Sequence, residues 1–480
     1  MESSKLHAVI LSSPGMGHLI PVLQLGKRLI ANHGLQVTIL VVSTIPSPSL
    51  SHLLHPSTIP KLLSIVELPP VDISNRIDPD AKLVTRISVT MRAAQPAIKS
   101  TLSAMQACPT RTMFIADFFG TEALHIADEF RIPKYLFVPS NAWFAALTSY
   151  CHELDKEISG PYVERREPLR LPGCRPVRPN EVVDPMLDRT DQQYREYVRV
   201  GIDFSLADGL LINTWEDLER KSLVALRGDE IIKVPIYPIG PLTKPVEESG
   251  SHGELFKWLD VQPEGSVIFV SFGSGGTISG EQSAELAWGL EMSRQRFIWV
   301  ARRPIEGSAD ASYFKSTDDP DGALLDFMQE GFLTRTRHVG KVVLEWAPQM
   351  RILGHPSVGG FLSHCGWNSI LESLTNGVPM IAWPLYAEQR MNATLLVEEL
   401  GVAVRPSEQP AEKVVGREEI EEMVRRVMES EQGKAMRQRV KELRCSAEEA
   451  TREGGSSHQS MCNLIRECRM KLDSIMQCSN

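Results

Sequence analysis

No run of apolar residues in the chain approaches the roughly 18 that a membrane-spanning helix needs, so no integral membrane segment is expected. The opening MESSKLHAVILSS does not read as a secretory signal. Its apolar run is short, follows His7 and leads straight into a Pro-Gly turn. Positive charge is not in excess: 51 Lys and Arg stand against 60 Asp and Glu, a formal charge of −9. That balance argues against nucleic acid or an anionic membrane as the main partner. Cysteines are few and scattered, at Cys108, Cys151, Cys174, Cys365, Cys445, Cys462, Cys468 and Cys478, with no CxxC pair. Such thiols read as reduced, and a cytoplasmic protein is the expectation. The 12 histidines form no HxxxH or HExxH, and His364 and Cys365 are adjacent, a poor chelating arrangement. No metal site is therefore expected. There is no Gly-Lys-Ser/Thr of a P-loop. The early GMGHLI has Ile20 where a dinucleotide fingerprint needs Gly or Ala, and no acid follows near position 39.

What is present is a long alternation. At 480 residues the chain is about three times the ~150 of one domain. Its 42% hydrophobic and 23% charged composition is that of a globular protein. HAVILSS (7–13) reads as a buried strand. A helix follows through PVLQLGKRLIANHG, with Pro21 in its first turn and Gly34 past its end. LQVTILVVS (35–43), RTMFIAD (111–117), PKYLFVPS (133–140) and DGLLINT (208–214) continue as strands, with TEALHIADEF as a helix. PLTKPVEESGSHGE (241–254) reads as an interdomain linker. The rhythm then restarts with SVIFVSF, RFIWVAR, KVVLEW, VGGFLS, PMIAWP and GVAVRP. Residues 305–328 are Asp/Ser-rich and read as a mobile surface loop. The expected fold is α/β, two doubly wound parallel-sheet domains facing across a cleft. The boundaries read as 1–245, 255–460, and a last helix, 461–480, packing back on the first domain. Open sheets of this kind bind ligands at strand C-terminal ends, so function is sought in the loops that follow strands.

In the loop after the first strand, two glycines permit a sharp turn before His18. Neutral imidazole there suits a general base, and an ordinary helix-entry histidine is the competing reading. Asp117 ends the strand RTMFIAD. It can orient a neighbouring imidazole, or cap the following helix. The turn around Ser274, Gly273 to Thr277, suits a phosphate or is a plain connection. The densest stretch runs from Trp346 to Gln389. Trp346 offers a stacking face, Gln349 an amide for a base edge, and His364 a donor for a diphosphate. Trp367, Asn368 and Ser369 open a helix after Gly366, Glu372 can accept from ribose, and Glu388 and Gln389 from sugar hydroxyls. Each has a core or surface reading of its own.

Together these residues resemble a known family. Trp346-Ala347-Pro348-Gln349, His355-Pro356, HCGWNSILES (364–373), Gly377-Val378-Pro379 and AEQ (387–389) resemble the 44-residue signature of plant UDP-dependent glycosyltransferases. The resemblance covers essentially the whole chain, including PGMGHLIP, NTWEDLE and YPIGPL. It is nearest the subgroup that glucosylates hydroquinones, monolignols and other small phenolics. It implies the two-domain GT-B architecture and UDP-glucose as co-substrate, with no further cofactor. By the resemblance, Trp346 stacks on uracil with Ala347 and Gln349 at its edge. Glu372 holds ribose, and His364, Asn368, Ser369 and the Ser274 loop hold the diphosphate. Trp367, Glu388 and Gln389 hold the sugar, Gln389 being the family's usual choice for glucose. His18 matches the catalytic base and Asp117 its partner.

The expected reaction is inverting transfer of glucose to a phenolic or flavonoid hydroxyl, needing no metal. The same base acting on a polyphenol can yield a phenolate whose ring carbon attacks, giving a C-glucoside. O-transfer is the favoured expectation. Met16, Ile87, Phe118, Phe119, Trp143 and Tyr386 are candidates for the acceptor pocket, or else core. An NAD-dependent oxidoreductase and an inactive sugar-nucleotide-binding protein are the competing classes. The incomplete fingerprint counts against the first, and intact His18 and Asp117 against the second. A monomer is expected.

Overall fold

The run LHAVILS is buried at every position and forms β1 (Leu6–Ser12). In the computed structural model, which describes residues 6–43, 60–106, 111–228, 232–245, 253–304, 331–344 and 346–477, it is an interior strand, third in order, of a seven-stranded sheet. The other strands are β2 (Gln36–Val41), β3 (Leu63–Glu67), β4 (Arg111–Asp117), β5 (Lys134–Val138), β6 (Leu210–Ile212) and β7 (Ile236–Pro238). Their order is β3-β2-β1-β4-β5-β6-β7, and every pairing is parallel. The second sheet has β8 (Val267–Ser271), β9 (Arg296–Ala301), β10 (Gly340–Leu344), β11 (Val358–Ser363), β12 (Met380–Ala382) and β13 (Ala403–Val404). It is also all parallel, ordered β10-β9-β8-β11-β12-β13. Both sheets therefore follow the doubly wound order. In each, the winding reverses between the first and fourth strands, β1/β4 and β8/β11. Reversal opens a crevice beyond the strand C-terminal ends.

The helix Met16–His33 buries Leu19, Val22, Leu23, Leu25 and Leu29 against the first sheet. It begins earlier than the apolar pattern suggested, so Pro21 lies in its second turn and His18 in its first. The helix expected over TEALHIADEF is split into a 3₁₀ segment, Phe118–Ala123, and the helix Leu124–Glu129. The last helix, Ser456–Gln477, sets Met461, Leu464, Ile465, Cys468 and Leu472 into the same core as β1 and β2. The second core packs Ile268, Val270, Phe297 and Trp299 with Leu362, Ile381 and Trp383.

The chain divides into two compact units. One comprises residues 1–180, 185–242 and 449–480; the other, 181–184 and 243–448. The return to the first unit comes at Glu449 rather than at 461, and the second unit takes four residues, Glu181–Asp184, out of the first half. Of the expected linker, residues 246–252 lie outside the described residues, and 253–254 open the helix Gly253–Asp260. The 305–328 segment, Cys108 and Cys478 also lie outside them.

Two runs singled out in the sequence have structural work. In NTWEDLE, Asn213 Oδ1 accepts from Leu242 N at 2.8 Å, and fully buried Trp215 is core. Glu219 accepts from Ala142 N (2.9 Å) and Trp143 N (3.2 Å), satisfying first-turn donors of the helix Ala142–Glu157. Burial pushes its carboxyl above the usual range. In YPIGPL, the carbonyls of Ile239 and Pro241 accept from the Arg28 guanidinium at 2.8 and 2.7 Å, tying the His18-bearing helix to that segment. Among the described residues no helix is long and apolar enough to cross a membrane.

Candidate active site

At the β1/β4 reversal, Gly15 has φ 104 and ψ 146. Only glycine takes that conformation without a large steric cost. The turn it makes starts the next helix at once, and His18 N and Leu19 N both donate to Gly15 O at 3.1 Å. The imidazole is thereby carried on a first helical turn, mostly buried but with 14% of its side chain exposed.

Asp117 is the last residue of β4 and is wholly inaccessible. Its side chain makes no cap bond to the 3₁₀ turn that follows. The carboxylate turns toward β1 instead. Oδ2 accepts from Ser13 N at 2.8 Å, and Oδ1 accepts from Ser13 Oγ. Oδ2 also lies 3.1 Å from His18 Nδ1, an ion-pair distance, although the angle there is not that of a hydrogen bond. Ser13 thus fixes the carboxylate in place and leaves one oxygen beside the imidazole. The sequence reading missed Ser13; its position one residue beyond β1 and two before Gly15 was the available signal.

Phe119 packs against the imidazole, with ring centroids 5.3 Å apart. It meets Phe118 edge-on at 4.9 Å, and Phe118 in turn touches Phe144 and Phe204. Of the six acceptor-pocket candidates, Phe119 and Met16 are half-buried beside His18 in space and sequence respectively. Phe118, Trp143 and Ile87 are each 2% exposed, the burial of core side chains. Tyr386 belongs to the second unit, where it packs on that unit's core. Half-buried Phe144 was not anticipated.

The β8/β11 reversal is built differently. Gly273 follows β8 at φ 73, and His364 follows β11. A Cβ at Gly273 would stand 2.3 Å from the His364 ring, and one at Gly366 2.5 Å from it. Two glycines therefore make the slot that the imidazole fills. Burial, with the charge of Arg302 behind it, pushes His364 down from 6.5 to about 3. The ring is a neutral donor, and its Nδ1 has no hydrogen-bond partner in the structure. Next to it the helix Trp367–Asn376 starts from Gly366 with no side-chain cap bond, and the positive end of its dipole favours an anion there. Ser274 is exposed in the facing turn.

One consequence is measurable. Below pH 6.5 the unfolded chain protonates His364 while the folded chain does not until about pH 3. Stability is lost as pH falls through that window, by about 5 kcal/mol across its full width. Chemical denaturation of the unliganded protein at pH 7 and pH 4.5 should show a smaller loss in His364→Asn than in the parent.

Beyond β10, Trp346 is 51% exposed, an unusual state for an indole, while Ala347 beside it is buried. Gln349 Nε2 donates to Ser369 Oγ (2.9 Å) and to Glu372 Oε2 (2.6 Å). Burial pushes the Glu372 carboxyl up. After β12, Gln389 Oε1 accepts from Leu385 N (2.9 Å) and Tyr386 N (3.0 Å), so its oxygen holds the turn and its amide nitrogen carries the donors. Trp367 is buried, and Asn368 and Glu388 are half-buried. All eleven residues expected to bind the donor lie in the second unit, ten at strand ends or helix starts and Glu372 in the second turn of its helix. Among the described residues no group of three or more His, Cys, Asp or Glu could hold a metal ion.

The profile of the UDP-glucoronosyl and UDP-glucosyl transferase family matches residues 243–439. The chain is similar to anthocyanidin 3-O-glucosyltransferase 5 of Manihot esculenta, 55% identical over 469 residues, covering 97% of this chain and 96% of that protein. The fold is similar to the crystal structure of TcCGT1 in complex with UDP, with TM-score 0.91 and 49% identity over 98% of this chain and 100% of that one. It is also similar to Phytolacca americana UGT2 complexed with UDP-2fluoro-glucose and pterostilbene, with TM-score 0.87 and 37% identity over 97% and 100% of the two chains.

Proposed function

The chain belongs to the family of UDP-dependent glycosyltransferases, and from that membership we propose that it transfers glucose from UDP-glucose to a hydroxyl of a small phenolic or flavonoid, with inversion. The observation that carries the proposal is His18 set against a buried, Ser13-anchored carboxylate at a sheet reversal point. His18 Nε2, the nitrogen away from Asp117, takes the acceptor proton. Asp117 stabilises the imidazolium that results. The acceptor oxygen attacks the anomeric carbon as the bond to the diphosphate breaks. Charge developing on UDP is met by the positive end of the helix Trp367–Asn376 and by neutral His364. Trp346 stacks on uracil with Ala347 and Gln349 at its edge, and Glu372 takes the ribose. Asn368, Ser369 and Ser274 attend the diphosphate, and Trp367, Glu388 and Gln389 the hexose.

The name of the Manihot relative supports oxygen as the attacking atom and a flavonoid-type acceptor. The ligands of the Phytolacca complex support a glucose donor and a phenolic partner. The scattered thiols support a cytoplasmic protein.

The test is an end-point assay with UDP-glucose and a panel of phenolics, flavonoids and dihydrochalcones, with product mass read by chromatography. Each hexose adduct is then treated with β-glucosidase or hot acid. Release of the sugar is the expected result. An adduct that resists both carries a carbon–carbon bond and overturns O-transfer. No adduct with any acceptor overturns the reading as a whole.

A further inference from the structure

Ala387 lies at φ 58, in the left-handed region where a Cβ carries a steric cost. It immediately precedes Glu388 and Gln389. A residue other than glycine stays there only when its surroundings hold it. The hold comes from 203 residues earlier in the chain. Asp184 N donates to Ala387 O at 3.2 Å, and Ala387 N donates to Asp184 Oδ2 at 2.7 Å. The other carboxylate oxygen pairs with the guanidinium of Arg390, whose side chain is only 7% exposed. One aspartate thus fixes both backbone groups of the strained residue and the side chain one turn on. Asp184 sits on the four-residue segment that the second unit takes from the first half. The same segment carries Glu181, which pairs at 2.8 Å with Arg405, the residue after β13.

We propose that Asp184 is a positioning residue for the hexose subsite. It holds Ala387 left-handed so that Glu388 and Gln389 keep the orientation that receives the sugar. The proposal rests on the reading that those two residues hold the hexose. Release of Ala387 to an ordinary conformation turns the peptide ahead of Glu388. Misplacement by ~1 Å is enough to cost about 100-fold in turnover. The nucleotide half of the donor, held elsewhere in the unit, is untouched.

Full-length Asp184→Ala, Asp184→Asn and Gln389→Ala are compared with the parent for kcat/KM with UDP-glucose and for Kd of UDP. Asp184→Ala is expected to lower kcat/KM by roughly ten- to 100-fold, with the Kd of UDP held within about twofold. Asp184→Asn keeps the size and one acceptor, so it loses less. Adding Ala387→Gly to Asp184→Ala should recover part of the loss, because glycine takes the left-handed conformation freely. If Asp184→Ala does not fold, the same pattern must appear in Asp184→Asn. A parallel loss of UDP binding, or unchanged kcat/KM in a folded variant, overturns the proposal. If Gln389→Ala leaves UDP-glucose kinetics unchanged, it is the subsite reading itself that fails.

Discussion

Replacing His18 with alanine is expected to lower kcat by about 100- to 10,000-fold, the range supplied by a positioned general base. The Kd of UDP should not move, because His18 lies in the first turn of the helix Met16–His33 and the residues proposed to hold the nucleotide lie in the other unit. The size of the loss should depend on the acceptor. A phenol that is already ionised at the assay pH needs no base, so the gap between parent and variant narrows as the acceptor becomes more acidic. A steric or structural role for His18 gives the same deficit across a series of substituted phenols. Asp117→Asn is expected to follow in the same direction. It keeps the volume at a site with no exposure but removes the charge beside Nδ1, and it disturbs the two bonds from Ser13.

The second large effect is expected at Gly273→Ala. Two costs coincide there. At φ 73 any Cβ is strained, and this one would stand 2.3 Å from a His364 ring that is itself buried and held by Gly366 on its other flank. The ring cannot swing away without leaving its slot, so the turn or the imidazole must shift. Both belong to the proposed diphosphate site. Turnover is expected to fall by at least about 100-fold, the scale of a 1 Å misplacement. The Kd of UDP should rise with it, in contrast to His18→Ala. Paired titration calorimetry with UDP separates the two variants. Gly253→Ala is the natural control, since it lies in the same unit and nothing lies within 4 Å of a Cβ there.

Much of this was legible in the chain. Near-continuous apolar runs gave β1, β4, β8 and β11, and therefore the two reversal points where His18, Asp117, Ser274 and His364 are found. The Trp346–Gln389 stretch was legible because its residues fall at successive strand ends, where side chains face a crevice rather than a core. Other features were not. β3, LSIVE, is mostly half-buried or exposed at a sheet edge and lacks the apolar run of a central strand, and β7 has only three residues. Pro21 suggested a later helix start because proline favours the first turn, yet Gly15 had already begun the helix at Met16. The bonds that anchor the site were the least visible. Ser13 reaches Asp117 across 104 residues and Asp184 reaches Ala387 across 203. Local periodicity carries no information at that range. In the sequence Asp117 fits a cap and a partner equally; its hydrogen bonds go to Ser13 and not to the following turn.

The most direct test of the account is the anomeric configuration of the product. The parent protein is incubated with UDP-glucose and a flavonol or simple phenol, and the adduct's anomeric proton is read by NMR. Single displacement by an oxygen that His18 has deprotonated predicts a β-glucoside from the α-linked donor. An α-glucoside would mean retention, which a lone base at this position cannot produce, and would contradict the mechanism.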